Sequence, residues 1–333
     1  MANAAMVDGF GRRIQYLRLS VIDRCDLRCQ YCMAEEPDFL PKDQVLTLEE
    51  IARLAQIFIG QGVRKIRLTG GEPLVRRNVM SLVKVLGEEV AAGRLDELTL
   101  TTNGTQLAKH AEGLAQAGIR RINVSLDSLN ADTFRRITRR GELEQVLDGI
   151  HAAKQAGLKI KINTVALKGL NDGEMDRLIS WCGREGHDLT LIETMPLGEF
   201  SMDMRGHALP LDEVRRDLEH RWTLVDSDYR SGGPARYVTV AETGRRLGFI
   251  TPLTHGFCDS CNRVRLTCTG QLVMCLGHEA GTDLRTPLRA SDHEEGVVRA
   301  IHQAMGIKPQ GHDFVSQIVE ANPISRTMNR VGG

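Results

Sequence analysis

Several absences bound this 333-residue chain before any motif is read. It has no surplus of either charge: Lys+Arg and Asp+Glu number 43 each, for a net charge of zero. A protein that coats nucleic acid ordinarily carries a basic excess, so nucleic acid is not an expected partner. No apolar run reaches the ~18 residues of a membrane span, so no membrane association is expected. Between Met1 and Arg13 the charged residues Asp8, Arg12 and Arg13 intervene before a signal-peptide core could form. The expected compartment is therefore cytoplasmic, where thiols stay reduced unless something binds them. Low-complexity tracts and internal repeats are also missing. With 41% hydrophobic and 26% charged residues, disorder, collagen and coiled coil are excluded as descriptions of the whole chain.

What is present is clustered. Cys25, Cys29 and Cys32 fall within eight residues, and Cys258, Cys261, Cys268 and Cys275 within eighteen. Cys182 stands apart. With Met175, Leu178 and Ile179 it forms an i, i+3, i+4, i+7 stripe and reads as a small buried hydrophobe on a helix.

Six strand-like runs (15–21, 65–69, 98–101, 121–126, 159–165 and 188–192) alternate with amphipathic helices through the first two thirds. One helix opens on a capping box, Thr47-Leu48-Glu49-Glu50, and carries Ile51, Leu54, Ala55 and Phe58 on one face. Six βα units predict an α/β fold with a parallel sheet closed or nearly closed into a barrel, two units short of a complete one. After residue 224 the pattern changes to a Ser231-Gly232-Gly233-Pro234 turn, short strands at 236–240 and 246–250, and a loop-like tail from Gly306. Two regions are expected, 9–224 and 225–333.

Side chains alternate faces along a strand. Leu17 and Leu19 oppose Arg18 and Ser20; Ile66 and Leu68 oppose Lys65, Arg67 and Thr69. Leu98 and Leu100 oppose Thr99 and Thr101, Ile122 and Val124 oppose Asn123 and Ser125, and Ile160 and Ile162 oppose Lys161 and Asn163. The apolar sets must meet the surrounding helices. The interior is then wet and partly basic, suited to a large polar ligand, where a closed barrel would fill itself with Val, Ile and Leu.

Cys25-x3-Cys29-x2-Cys32 follows the first strand, at the end where barrel enzymes place their chemistry. Three thiolates on one short loop can hold three corners of an iron–sulfur cluster. Zinc wants four closed ligands, and no fourth Cys or His is nearby. At Cys258-x2-Cys261-x13-Cys275 a structural zinc stays open, with His278 or Cys268 as the fourth ligand. Arg263 and Arg265, alternating just beyond Cys261, point instead to anion recognition.

Tyr31 before the last cysteine of the first set and Gly70-Gly71-Glu72-Pro73 after the second strand make the chain resemble the radical S-adenosylmethionine superfamily. Arg18-Leu19-Ser20, Thr101-Thr102-Asn103-Gly104, Asn123-Val124-Ser125-Leu126-Asp127, the run from Cys258 to Leu266, and the terminal Gly332-Gly333 are similar to the GTP 3′,8-cyclase family of molybdenum cofactor biosynthesis. That resemblance covers essentially the whole chain. It implies an incomplete (β/α)6 TIM-type barrel with a C-terminal lobe carrying a second iron–sulfur cluster, and the conversion of GTP to 3′,8-cyclo-7,8-dihydro-GTP by a 5′-deoxyadenosyl radical that removes the 3′ hydrogen.

It also implies two [4Fe-4S] clusters, held by Cys25, Cys29 and Cys32 and by Cys258, Cys261 and Cys275. S-adenosyl-L-methionine would meet Tyr31, Gly71, Ser125 and Met195. GTP would meet Arg18, Arg67, Thr101, Lys161, Arg263, Val264 and Arg265, with Lys65 a further phosphate partner. Gly332 and Gly333 would reach the active site. A reductant of unknown identity, a homodimer and hand-over to cyclic pyranopterin monophosphate synthase complete the implied picture. Thr190 stands where the family usually has Arg, Arg330 where it has an aromatic residue, and Cys268 has no family role. The alternatives are a radical peptide-modifying enzyme with an auxiliary cluster and a zinc-stabilised binding protein.

Overall fold

A computed structural model describes residues 5–198, 206–254, 256–312, 314 and 324–332. Six parallel strands lie side by side in chain order: β1 (Tyr16–Ser20), β2 (Lys65–Thr69), β3 (Glu97–Thr102), β4 (Arg121–Ser125), β5 (Lys159–Val165) and β6 (Asp188–Ile192). They agree with the six expected runs to within a residue at each end. Between them run α1 (Leu48–Gly60), α2 (Val79–Ala91), α3 (Leu107–Gln116), α4 (Ala131–Thr138), α5 (Leu143–Gln155) and α6 (Met175–Glu185). The capping box holds: Glu50 N donates to Thr47 Oγ1 at 3.1 Å and Thr47 N to Glu50 Oε2 at 2.8 Å. Two N–H groups that the first helical turn leaves free are thereby satisfied. Cys182 is buried on the apolar face of α6.

The parity reading decides the layers. Leu17, Leu19, Ile66, Leu68, Leu98, Leu100, Ile122, Val124, Ile160 and Ile162 are buried in one core with the helices. Their polar neighbours line the inside.

The sheet does not stop at six strands. β7 (Leu224–Ser227), β8 (Arg236–Val240), β9 (Arg245–Ile250), β10 (Arg263–Leu266), β11 (Gln271–Val273) and β12 (Gly281–Asp283) extend it at both edges. β9 pairs parallel with β6, and β10 parallel with β1; the hairpins beyond them are antiparallel. No ladder joins β9 to β10 among the described residues, so the barrel is partial. β7 begins at residue 224, the expected end of the first region. The strands that follow nevertheless continue the same wall. The tail is not loop throughout: a short helix, Met328–Val331, buries Asn329 and Val331. No helix among the described residues is long and apolar enough to cross a membrane.

Close packing of α5 beside the loop after β3 depends on Gly149. A Cβ there would press into the Gly104 carbonyl oxygen and stand 3.1 Å from Leu107 Cβ. Gly149→Ala is expected to lower stability by about 1–3 kcal/mol, read from urea unfolding; an unchanged midpoint would contradict the close approach.

Candidate active site

All six clustered cysteines of the two sets face one cavity. Its empty volume, open mouth included, is about 1970 Å³. Cys25, Cys29 and Cys32 follow β1, and Cys258 and Cys261 precede β10, its parallel neighbour. Cys275 follows β11, which runs antiparallel to β10, and so returns to the same end. The two sets therefore sit at opposite ends of the interior. The five residues of β1 separate them, roughly 16 Å at ~3.3 Å per residue.

The first set is shaped by its own backbone and by the turn after β2. Cys32 N donates to Cys29 O at 2.9 Å, and Arg28 Nη1 donates to Cys25 O at 2.6 Å. Gly71 N donates to Ile22 O at 2.7 Å. A side chain at Gly71 would collide with the Arg24 carbonyl and approach Asp23 O to 2.6 Å, so only glycine lets this turn lie against the cysteine loop. Asn103 Nδ2 donates to Cys25 Sγ at 3.6 Å and Asp26 Oδ1 at 2.7 Å. Glu72 is fully buried and accepts from Leu74 N, Thr102 Oγ1 and Asn103 N. Tyr31 OH donates to Asp127 Oδ2 at 2.6 Å.

Burial pushes the Cys25, Cys29 and Cys32 thiols up, Cys32 to about 12, with nearby carboxylates adding to it. Three such thiols ionise together only around a cationic body, which is what an iron–sulfur cluster provides. Among the described residues no three Cys, His, Asp or Glu side chains converge closely enough to hold a single metal ion. A larger body bridged by three cysteines fits this spacing better than zinc does. Of the fourth ligands a zinc could use at the second set, Cys268 is remote, whereas His278 shares the Gly311 carbonyl with Cys275 Sγ, which approaches it at 3.9 Å. Cys268 is fully buried behind the wall, where its carbonyl accepts from Leu46 N, and the His278 ring faces Gly311 O at 2.9 Å.

Between the thiol sets the wall is cationic. Arg18 is in register with Arg67 on one side and Arg265 on the other, and Asn123 with Lys161. Arg67 Nη1 donates to Thr101 Oγ1 at 3.2 Å, and Lys161 Nζ to Tyr237 OH at 3.2 Å. Among the described residues, the buried atoms Arg18 Nε, Arg67 Nε, Thr69 Oγ1, Asn123 Oδ1 and Asn163 Oδ1 have no partner. Unpaired polar atoms are costly when buried, so this ring calls for a polar ligand. The carboxylates that line the cavity do not answer the cations. Glu72 is consumed as above, and Glu193 accepts from Leu211 N, Leu253 N and Thr254 Oγ1. Burial holds Arg18, Arg67 and Arg265 below their usual range, and their mutual repulsion adds to it.

Of the residues singled out from sequence, Tyr31, Gly71, Ser125, Met195, Arg18, Arg67, Thr101, Lys161, Arg263, Val264 and Arg265 line this cavity with the six cysteines. Lys65 does not. Its ammonium is held at the strand's start by Glu97 Oε2 at 2.8 Å and Ser231 O at 2.9 Å, so it is not a free phosphate partner. Gly332 reaches the interior: Arg265 Nη1 donates to its carbonyl, and a Cβ on it would stand 2.8 Å from Thr69 Cβ. Gly333 lies outside the described residues. Asn329 ties the tail to the first cysteine loop by donating to Asp23 O at 2.9 Å. Arg330 points outward and donates to Asp38 O at 3.1 Å. Thr190 is buried and in register with Gly248 of β9. The Tyr237 ring occupies the space beside it, over Gly248, where a Cβ would stand 2.8 Å from the ring.

Sequence reasoning missed Tyr16, which shares the inward face with Arg18 and was legible by the same parity. It missed Tyr237, whose partners come from two distant strands and carry no local signal.

Comparison with known proteins agrees with this geometry. A radical SAM superfamily model matches residues 19–182, and a Molybdenum Cofactor Synthesis C model matches residues 187–314. A GTP 3′,8-cyclase from Agrobacterium fabrum is 60% identical over 332 residues, 99% of this chain and 95% of the relative. One from Rhizobium meliloti is 61% identical over 331 residues, again 99% and 95%. Among solved structures, Streptococcus suis SuiB bound to S-adenosylmethionine is similar with a TM-score of 0.63 at 16% identity, over 95% of this chain and 77% of that one. That likeness concerns the fold alone.

Tyr16 generates a pH prediction. Burial pushes its phenol up, but Arg67, Arg18, Lys65 and Arg263 together outweigh burial and bring it down to about 7. In the unfolded chain a tyrosine ionises near ~10. The folded value is the lower one, so the contribution to stability appears as pH rises through 7, is complete above about 10, and is lost as pH falls back through 7. The stability difference between the parent and Tyr16→Phe is expected to grow in the parent's favour across that window. A pH-independent difference would contradict the assignment.

Proposed function

Because the chain belongs to the GTP 3′,8-cyclase family of the radical S-adenosylmethionine superfamily, we propose that the cavity is its active site and that the cationic wall holds the GTP triphosphate. The reaction is the conversion of GTP to (8S)-3′,8-cyclo-7,8-dihydroguanosine 5′-triphosphate, the first step of molybdenum cofactor biosynthesis. When bound, two [4Fe-4S] clusters and S-adenosylmethionine supply the electron and radical chemistry. The chain's own residues bind, orient and enclose.

Cys25, Cys29 and Cys32 hold the cluster that serves S-adenosylmethionine, and Tyr31, Gly71, Ser125 and Met195 border the cofactor. Cys258, Cys261 and Cys275 hold the second cluster, on the substrate side. Arg18, Arg67, Lys161, Arg263 and Arg265 offset the negative charge of GTP, Thr101 fixes Arg67, and Val264, between Arg263 and Arg265, borders the cavity. The observation that carries this reading is the set of unpartnered buried donors and acceptors among five cations, midway between the two thiol sets. Gly332, docked on Arg265, closes the interior against water and so strengthens every charge interaction inside it. None of the eight cysteines is in a disulfide, which suits the reducing cytoplasm. Family membership supports a homodimer, an external reductant and hand-over to cyclic pyranopterin monophosphate synthase as part of this reading.

The reaction is tested with GTP deuterated at C3′: deuterium is expected in the 5′-deoxyadenosine formed, and its absence would overturn hydrogen removal at that carbon. The binding mode is tested by proton linkage. Burial, then repulsion by Arg67 and Arg121, brings Lys161 down to about 7, so at about pH 8 much of it is neutral. A triphosphate beside it raises that value, and GTP binding at about pH 8 is expected to take up protons. Calorimetry in buffers of different ionisation enthalpy reads the uptake, which is expected to shrink in Lys161→Met. Equal uptake in both proteins would place the triphosphate elsewhere.

A further inference from the structure

Lys308 follows the helix Glu295–Gly306 and is only 3% exposed. Burying an ammonium costs free energy unless its N–H groups find acceptors. Three acceptors surround it: Nζ donates to Met274 O at 2.7 Å, Arg263 O at 3.0 Å and Cys261 Sγ at 3.8 Å. Three acceptors use all three N–H groups of an ammonium, one more than a neutral amine offers. The identity of these partners is informative. Arg263 lies two residues past Cys261, and Met274 immediately precedes Cys275. One side chain thus ties together both segments that carry the second thiol set. Arg12 supports the same region from outside, donating through Nη1 to Cys258 O at 2.8 Å and Gln310 O at 2.7 Å. At the first set, Cys25 Sγ receives instead the neutral amide of Asn103.

We propose that Lys308 is a positioning and charge-compensating residue for the second [4Fe-4S] cluster, its ammonium donating to the Cys261 sulfur and raising that cluster's reduction potential. The proposal rests on the reading of Cys258, Cys261 and Cys275 as a cluster site. Taking up one electron adds one negative charge to the cluster. A fixed cation and a hydrogen bond to a ligating sulfur both stabilise the reduced form, the more so where the dielectric is low. The effect is local to the second set because Lys308 touches no part of the first.

The test is a redox titration of the whole reconstituted chain with dithionite, followed by electron paramagnetic resonance, for the parent, Lys308→Met and Lys308→Arg. The second cluster's signal is identified as the one that changes when GTP is added. Lys308→Met is expected to shift that cluster's midpoint to lower potential and leave the first where it is; Lys308→Arg, which keeps the charge, is expected to recover most of the shift. An unmoved midpoint in Lys308→Met overturns the proposal and leaves the cluster reading intact. If Lys308→Met assembles only one cluster, about four iron per chain in place of about eight, the arginine variant decides. Two clusters near the parental potential support a role for charge, and loss of the second cluster in both variants overturns it in favour of packing. A parent that takes up a single cluster overturns the site reading and this proposal together.

Discussion

Enclosed positive charge that no carboxylate among the described residues is left to answer is the constraint on which this molecule turns. Arg18, Arg67 and Arg265 stand in register on neighbouring strands, where like charges oppose one another. Desolvation penalises each of them further. The outward face of the same strands makes this tolerable, because Leu17, Leu19, Ile66 and Leu68 bury against the helices and hold the wall in place. The interior is therefore unfavourable by itself and becomes favourable around a ligand with several negative charges. With the triphosphate held as proposed, substrate binding relieves that repulsion.

The second organising feature is the placement of two thiol sets at opposite ends of adjacent strands. β1 delivers its cysteines at its far end, while β10 receives them at its start. Parallel pairing of the two strands turns a separation of more than two hundred residues in the chain into one strand length across the cavity. The tail then uses the remaining opening. Asn329 anchors it to the first cysteine loop, and Gly332 lies against Thr69 and Arg265. A larger residue at Gly332 would meet Thr69, so the space is already taken by the strand wall.

The six barrel strands were legible because each shows strict alternation over four or more residues, and alternation is what a half-polar wall demands. The same parity placed Arg18, Arg67, Thr101, Lys161 and Ser125 inside. It also placed Lys65 inside, but could not see Glu97 and Ser231 waiting for its ammonium. β10, β11 and β12 have only three or four residues each, too few for a period to show. β10 was nevertheless half visible in the alternation of Arg263 and Arg265. Lys308 and Asn329 left no trace in sequence, because a single polar residue among loops is ordinary until its partners are known.

Cysteine spacing, strand parity and the Gly70-Gly71-Glu72-Pro73 turn are local properties, so the chain by itself determined the polarity of the interior and pointed to a cluster at the first thiol set, while zinc stayed open at the second. Where the C-terminal strands join was decided only in three dimensions. They could have formed a separate lobe; hydrogen bonding to β1 and β6 made them part of the wall and brought the two sets into one cavity. The same is true of which cations stay free. Charge on a side chain is written in the sequence, but whether a carboxylate or a carbonyl already satisfies it depends on contacts between segments far apart in the chain.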